Sequence, residues 1–302
     1  MNRDRLLATA PLLAAVVWGG MYVVSKWGFS EVPPLALAFL RIFLGAVVLY
    51  LGVRATTPAR SFSRAEWRRF ATLAVWLTVA LSTQFVGTDL TNASQGSLLT
   101  VSTPVFMVVL GAAALGETLT AGKVVGTAVA ALGTVVVLLG QYDVHALAGG
   151  SPVGVGLLLV SAFSFAAFSA FGKPLIDRYS ALETATYATV LSVPLFGALV
   201  PVELFLRPAA YRSVAVTLPV VGAVLYLGVV STAVAWYCWY KGMEYADASS
   251  VAVYFFAQPV VGIALGVVLL GERAGISILG GGALLALGVF LVERSRRRER
   301  GS

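Results

Sequence analysis

The 302-residue chain is 59% hydrophobic and only 12% charged, with a mean hydropathy of +0.89 and a formal charge of +7. Soluble domains carry about a quarter charged residues, so roughly half the charge needed to coat a water-facing surface is missing. A soluble globular fold is excluded, and a single cysteine, Cys238, leaves no disulfide framework or thiolate metal cluster.

Apolar runs recur along nearly the whole chain. A helix crosses the hydrocarbon with about 20 residues at 1.5 Å rise each. Ten runs of that size lie near 6–27, 34–53, 67–88, 93–115, 120–140, 153–176, 180–204, 216–241, 247–270 and 275–293. Alternating barrel strands would be about half as long, so the expected fold is an all-α polytopic membrane protein with ten transmembrane helices. The first run follows Arg3 and Arg5 but is too long for a signal peptide and contains Trp18 and Lys26, so it reads as a retained helix. In the connection before the third run, Ser63 and Glu66 make a capping-box pattern that starts a helix. The connections near 54–66, 141–152 and 205–215 are too short to bury a core of their own.

Placing the N-terminus in the cytoplasm puts sixteen of the 21 basic residues on that side, among them Arg54, Arg60, Arg64, Arg68, Arg69, Lys123, Lys241 and the tail from Arg294 to Arg300. This is the positive-inside bias, and it predicts both termini cytoplasmic. The basic tail, 294–302, then reads as a topology anchor that touches anionic lipid rather than as a nucleic-acid contact.

The stretch PVFMVVLGAAALGE at 104–117 returns 155 residues later as PVVGIALGVVLLGE at 259–272. At the same offset Gly111, Gly116, Glu117, Gly126 and Gly133 recur as Gly266, Gly271, Glu272, Gly281 and Gly288, and Asn92-Ala93-Ser94 corresponds to Asp247-Ala248-Ser249. A fainter offset of 147 relates Trp18, Tyr22 and Lys26 to Phe165, Ser169 and Lys173. The expected organisation is a five-helix repeat over 1–140, a periplasmic linker over 141–152, a second repeat over 153–293 and the tail. Five is odd, so the second repeat is inverted, and inverted halves place a site near the midplane with a gate toward each side.

Helical spacing gives candidate cavity faces: Trp18, Tyr22 and Lys26 on the first helix, Thr232, Trp236 and Tyr240 on the eighth, and Ser250, Tyr254 and Gln258 on the ninth. Burying unpaired polar groups in hydrocarbon costs about 4–8 kcal/mol, so these faces are expected to point inward. Gln84 with Thr83 and Ser82, Ser97 and Thr100, and Phe165, Phe168 and Ser169 add to the expected wall. The Ser and Thr hydroxyls are equally explained by bonds within and between helices. Trp, Tyr and Phe suit an apolar or aromatic side chain and can hold an ammonium group over a ring. Pro104 and Pro259 sit mid-span as hinges or static bends, while Lys26 and Lys173 near opposite span ends are candidate gates.

Arg41 lies inside the second span, where it is expected to be paired or to lie near the outer interface as a fold-stabilising group. No Asp, Glu or His falls at mid-membrane, where a proton relay is built, which points to uncoupled transport. His145 with Asp143, in a loop, makes no metal site, and no acid, base and nucleophile converge, so neither an enzyme nor a bound cofactor or metal is expected.

Trp18-Gly19 with Lys26, Leu40-Arg41, Ala93-Ser94 leading to Pro104, and Leu-Gly-Glu in both halves resemble the drug/metabolite transporter superfamily in its EamA-type ten-helix branch. Within it the chain looks most like the YddG-type bacterial exporters of aromatic and other neutral amino acids. The resemblance implies an inner-membrane exporter of small metabolites, with helices 1, 3, 4, 6, 8 and 9 around a central cavity. Another substrate class (a nucleotide-sugar, vitamin or drug) and proton coupling stay open, as does oligomeric state.

Overall fold

A computed structural model describes residues 7, 9–91, 96, 99, 102–141, 151–212, 214–261 and 276–299. Among them every regular element is helical. We label α1 Ala10–Gly28, α2 Pro34–Thr56, α3 Arg64–Leu90, α4 Ser102–Leu115, α5 Ala121–Gln141, α6 Pro152–Arg178, α7 Ala181–Leu206, α8 Leu218–Met243, α9 Ala248–Val261 and α10 Ile276–Glu299. Helix covers most of the described part of the spans expected from the sequence. Six of these helices (α2, α3, α5, α6, α7 and α8) are long and apolar enough to cross a membrane.

The helix ends follow local chemistry. Ser63 Oγ accepts from Glu66 N–H at 3.3 Å and Glu66 Oε2 accepts from Ser63 N–H at 2.6 Å, the two halves of the expected capping box. Ser151, Ser180 and Thr217 cap α6, α7 and α8 in the same way with their hydroxyls. Gly116, at φ 68°, turns the chain out of α4, a backbone conformation that costs glycine little.

The core is largely apolar, but the outer faces are apolar too, and polar groups are buried within. Leu51, Val75, Val109, Val153 and Leu279 are exposed on the outer faces, while Thr78, Gln84, Ser161, Thr184, Thr189 and Ser192 are buried. The outer faces thus present hydrocarbon to hydrocarbon, and buried hydroxyls find carbonyl partners within and between helices: Thr189 donates to Ala185 O of its own helix at 2.7 Å, while Ser192 reaches Ala74 O of α3 and Thr186 reaches Leu49 O of α2, both at 3.2 Å.

Small residues set the closest crossings. Where α5 meets α10, a Cβ on Gly133 would lie 2.5 Å from Gly281 O, and one on Gly281 would lie 2.4 Å from Gly133 O. Gly126 and Gly288 face one another in the same reciprocal way, at 2.8 and 2.5 Å. The pairing of α3 with α6 is mirrored by that of α8 with α1, and α2 lies on both α7 and α8. Helices α1, α6, α8 and α9 meet at the centre of the molecule, with α2 and α3 completing the ring.

Candidate functional site: a closed aromatic cavity at the centre

Two departures from α-helical geometry shape the centre. Residues Tyr226–Val234 of α8 form a π-helix, in which Ala235 N–H reaches back five residues to Val230 O. At the joint where this wider turn hands back to α geometry, one carbonyl is passed over, and π segments of this kind often mark functional sites. The Ser231 carbonyl lies there, halfway along α8. It accepts from Trp18 Nε1 at 2.9 Å and from Arg41 Nη2 at 3.1 Å. In α9 the segment Ala252–Phe256 is a 3₁₀ helix, and the Phe256 carbonyl accepts from Thr134 Oγ1 of α5 at 3.0 Å.

Around these two segments the rings close on one another. Trp18 lies against Trp236 with ring centroids 4.9 Å apart and stacks on Phe255 at 5.5 Å. Phe165 stacks on Trp236 from the far side at 5.6 Å, and Phe168 meets it edge-on at 4.9 Å. Between them is a cavity lined by Trp18, Met21, Arg41, Gln84, Phe165, Trp236, Phe255 and Gln258, with about 10 Å³ of free volume. That is room for a single water and no more.

Five sequence candidates, Trp18, Gln84, Phe165, Trp236 and Gln258, are brought together on this wall. Tyr22 stands one step behind, its hydroxyl accepting from Gln84 Nε2 at 2.8 Å. Ser169 and Tyr240 support the rings from outside the cavity: Trp239 Nε1 donates to Ser169 Oγ at 3.0 Å and Tyr240 OH to Phe168 O at 3.0 Å. Tyr254 is placed elsewhere, its hydroxyl 3.0 Å from Glu293 Oε1 of α10. The physical reason is the 3₁₀ turn. At three residues per turn, positions four apart no longer share a face, whereas positions three apart do. Phe255, three before Gln258, therefore takes the wall position that α-helical spacing assigns to Tyr254.

The remaining candidates lie away from the wall. Lys26 Nζ donates to the carbonyls of Thr88, Asp89 and Thr91 at 3.1, 2.9 and 3.1 Å, closing the C-terminus of α3 from α1. Its sequence counterpart Lys173 pairs instead with Asp177 on its own helix. Pro104 is in the first turn of the described part of α4, and Pro259 follows Gln258 in α9. Ser97 and Thr100, and the second copy of the repeated motif from residue 262 through Glu272, lie outside the described residues.

The first copy of that motif has a visible purpose. After the Gly116 turn, Glu117 folds back over Gly111, where any Cβ would sit 2.7 Å from its carboxylate. The carboxylate accepts from the N–H groups of Ala248 and Ser249 at 2.8 and 2.9 Å, capping the N-terminus of α9. Lys123, fully buried, pairs with Asp247 at 2.9 Å beside it.

Sequence reasoning missed Met21, Arg41 and Phe255 as wall residues. Arg41 was visible as a charge within an apolar span; its bonds to Thr232 and Ser231 tie α2 to α8, as a fold-stabilising group would, and it also lines the cavity. It is 1% exposed at the centre of the molecule, and among the described residues it has no carboxylate partner.

The sequence matches the EamA-like transporter family over residues 6–139 and again over 152–294. The chain belongs to that family. It is 28% identical over 293 residues to an uncharacterized transporter of Archaeoglobus fulgidus, covering 94% of this chain and 97% of the relative. A probable terminal-alkyne amino-acid exporter of Streptantibioticus cattleyicolor is 30% identical over 310 residues, covering 96% of this chain and 95% of its own. A probable amino-acid metabolite efflux pump of Escherichia coli is 28% identical, covering 96% and 94%. A crystal structure matches the fold with a TM-score of 0.80 at 21% identity, over 97% of this chain and 98% of the other. This EamA-family chain is thus a multi-pass membrane protein whose relatives are transporters.

Proposed function

We propose that this protein exports small neutral amino acids, aromatic ones among them, across a bacterial inner membrane by alternating access, with both termini in the cytoplasm. The observation that carries the reading is the closed central cavity, in which four aromatic rings surround the polar ends of Gln84, Gln258 and Arg41. Rings suit an apolar or aromatic side chain, and the few polar groups suit the polar end of the same small molecule. The names of the Streptantibioticus and Escherichia relatives point to the same substrate class.

The reading includes ten membrane-spanning helices in two inverted five-helix halves, 1–140 and 153–293. Reciprocal glycine contacts support it. Gly126 and Gly133 are related to Gly281 and Gly288 by the 155-residue offset, and each packs on the counterpart of the other, the pattern of a two-fold axis. A cavity this small holds no amino acid, so in this reading transport requires the rings to part toward one side at a time. Arg41 is the only ionisable residue on the described wall. A proton relay through this cavity would need a carboxylate or histidine there, so we propose that transport is uncoupled.

Counterflow in proteoliposomes tests the function. Vesicles loaded with one neutral amino acid should accumulate its labelled form transiently, and a panel of amino acids that all fail to exchange would refute the substrate class. Concentrative uptake driven by an imposed pH gradient would refute the uncoupled mechanism while leaving the substrate class standing.

A further inference from the structure

Arg41 is a guanidinium taken out of water without a counter-charge. Its Nε donates to Thr232 Oγ1 at 2.8 Å and its Nη2 to Ser231 O at 3.1 Å, both neutral acceptors on the π segment of α8. Among the described residues its Nη1 has only the sulfur of Met21 at 2.9 Å, a weak acceptor. The Phe85 ring lies 5.6 Å from its Cζ, a cation–π contact that offsets part of the burial and no more. A buried cation is ordinarily held by an anion, and leaving one unpaired is strongly unfavourable. Here the planar fork is fixed from α8, while the Nη1 edge is left without an oxygen acceptor on a residue that lines the cavity.

Opposite in chemical character, the carboxamide oxygens of Gln84 and Gln258 are buried on the same wall without a donor, although Gln84 Nε2 is engaged by Tyr22. One cavity therefore holds a cation with spare donors, two acceptors without donors, and aromatic rings.

We infer that Arg41 binds the carboxylate of the transported solute, with Gln84 and Gln258 accepting from its ammonium group, so that the site selects zwitterions over amines and amides of the same shape. This deepens the amino-acid reading proposed above and rests on it. The counter-anion missing from the fold is supplied by the cargo, and a guanidinium suits the task because its fork matches a carboxylate in two parallel hydrogen bonds. The bound solute neutralises a charge that the empty site leaves buried.

The test uses the full chain in proteoliposomes. Counterflow of labelled phenylalanine, or of leucine if that is the better substrate, is competed with the unlabelled acid, its carboxamide and the corresponding amine. A site built to hydrogen-bond a group rejects analogues lacking it strongly, so the amide and the amine should compete at least about tenfold more weakly than the acid. In Arg41→Gln that ratio should collapse toward one, and Arg41→Lys should retain part of it. Equal competition by acid and amide in the wild-type protein, a comparison that needs no variant, would overturn the inference while leaving amino-acid transport intact. So would an unchanged ratio in Arg41→Gln. Absence of exchange by every amino acid would fell the amino-acid reading and this inference together.

Discussion

Where α5 crosses α10 backbone meets backbone, and where α1, α6, α8 and α9 converge rings meet rings. At the first crossing a Cβ on Gly133 or Gly281 would come within 2.5 Å of the partner's carbonyl oxygen, so nothing can swing aside to make room. At the second, Trp18, Phe165, Trp236 and Phe255 fill space with side chains whose rotation leaves the backbone hydrogen bonds whole. Both regions are tightly closed, but only one is closed by parts that turn. On the alternating-access proposal the first stays fixed and the second moves, which sets the order of the expected mutational effects.

The largest effect belongs to the backbone crossing. Gly133→Leu forces a branched side chain against a carbonyl and should abolish recovery of folded protein, read as loss of the monodisperse peak in detergent. If Gly133→Leu purifies and transports like the parent, the close crossing is not a fixed element. Next comes Trp236→Ala, which removes the ring touched by Trp18, Phe165 and Phe168. Expression should stay near normal while counterflow falls by about tenfold, since loss of positioning and of a stacked ring is worth roughly 1.4 kcal/mol or more. Normal flux in this variant would remove the central rings from the transport path.

A smaller effect is expected at the latch between the α4–α5 turn and α9. In Glu117→Gln, one of the two bonds to Ala248 and Ser249 loses its acceptor and the other loses its charge. Hydrogen bonds to charged groups contribute about 1.5–3 kcal/mol, so amide exchange over 248–251 should accelerate by roughly tenfold. Unchanged protection would show that the carboxylate does not hold the end of α9. The smallest effect is at Tyr254→Phe. Its hydroxyl bonds Glu293 rather than facing the cavity, so transport should stay within about twofold of the parent, whereas Gln258→Ala should lower flux clearly. Reversal of that order would place the cavity face of α9 on the wrong residues.

How much of this could be read beforehand depended on what kind of force sets each feature. The spans were legible because water and hydrocarbon sort residues by hydropathy over windows of about 20 residues, a signal that survives local irregularity. The Ser63–Glu66 capping box was legible because both of its bonds are local. Trp18, Gln84, Phe165, Trp236 and Gln258 were found because polar and aromatic groups in mid-span must turn inward. Phe255 was not, because its place on the wall comes from a 3₁₀ turn that no residue in Ala252–Phe256 announces, and the spacing rule used for Tyr254 assumes an α-helix. The π segment of α8 was hidden for the same reason. Arg41 was seen, but sequence shows only that a charge lies in an apolar span, not which neighbours surround it, and three-dimensional placement reveals a guanidinium held by neutral oxygens at Nε and Nη2 and by a sulfur at Nη1.

A π turn takes up one more residue than the α turn it replaces, so the stretch Tyr226–Val234 behaves as an insertion swallowed by a continuous helix. The offset relating the two halves of the chain, 147 at their beginnings and 155 toward their ends, lengthens across the stretch that contains it. Excising a single residue from the segment would leave α8 long enough to cross the bilayer, yet would wind everything beyond it round by about 100°. The indole of Trp236 and the ring of Tyr240 would then turn away from the rings they now touch, Trp18, Phe165 and Phe168.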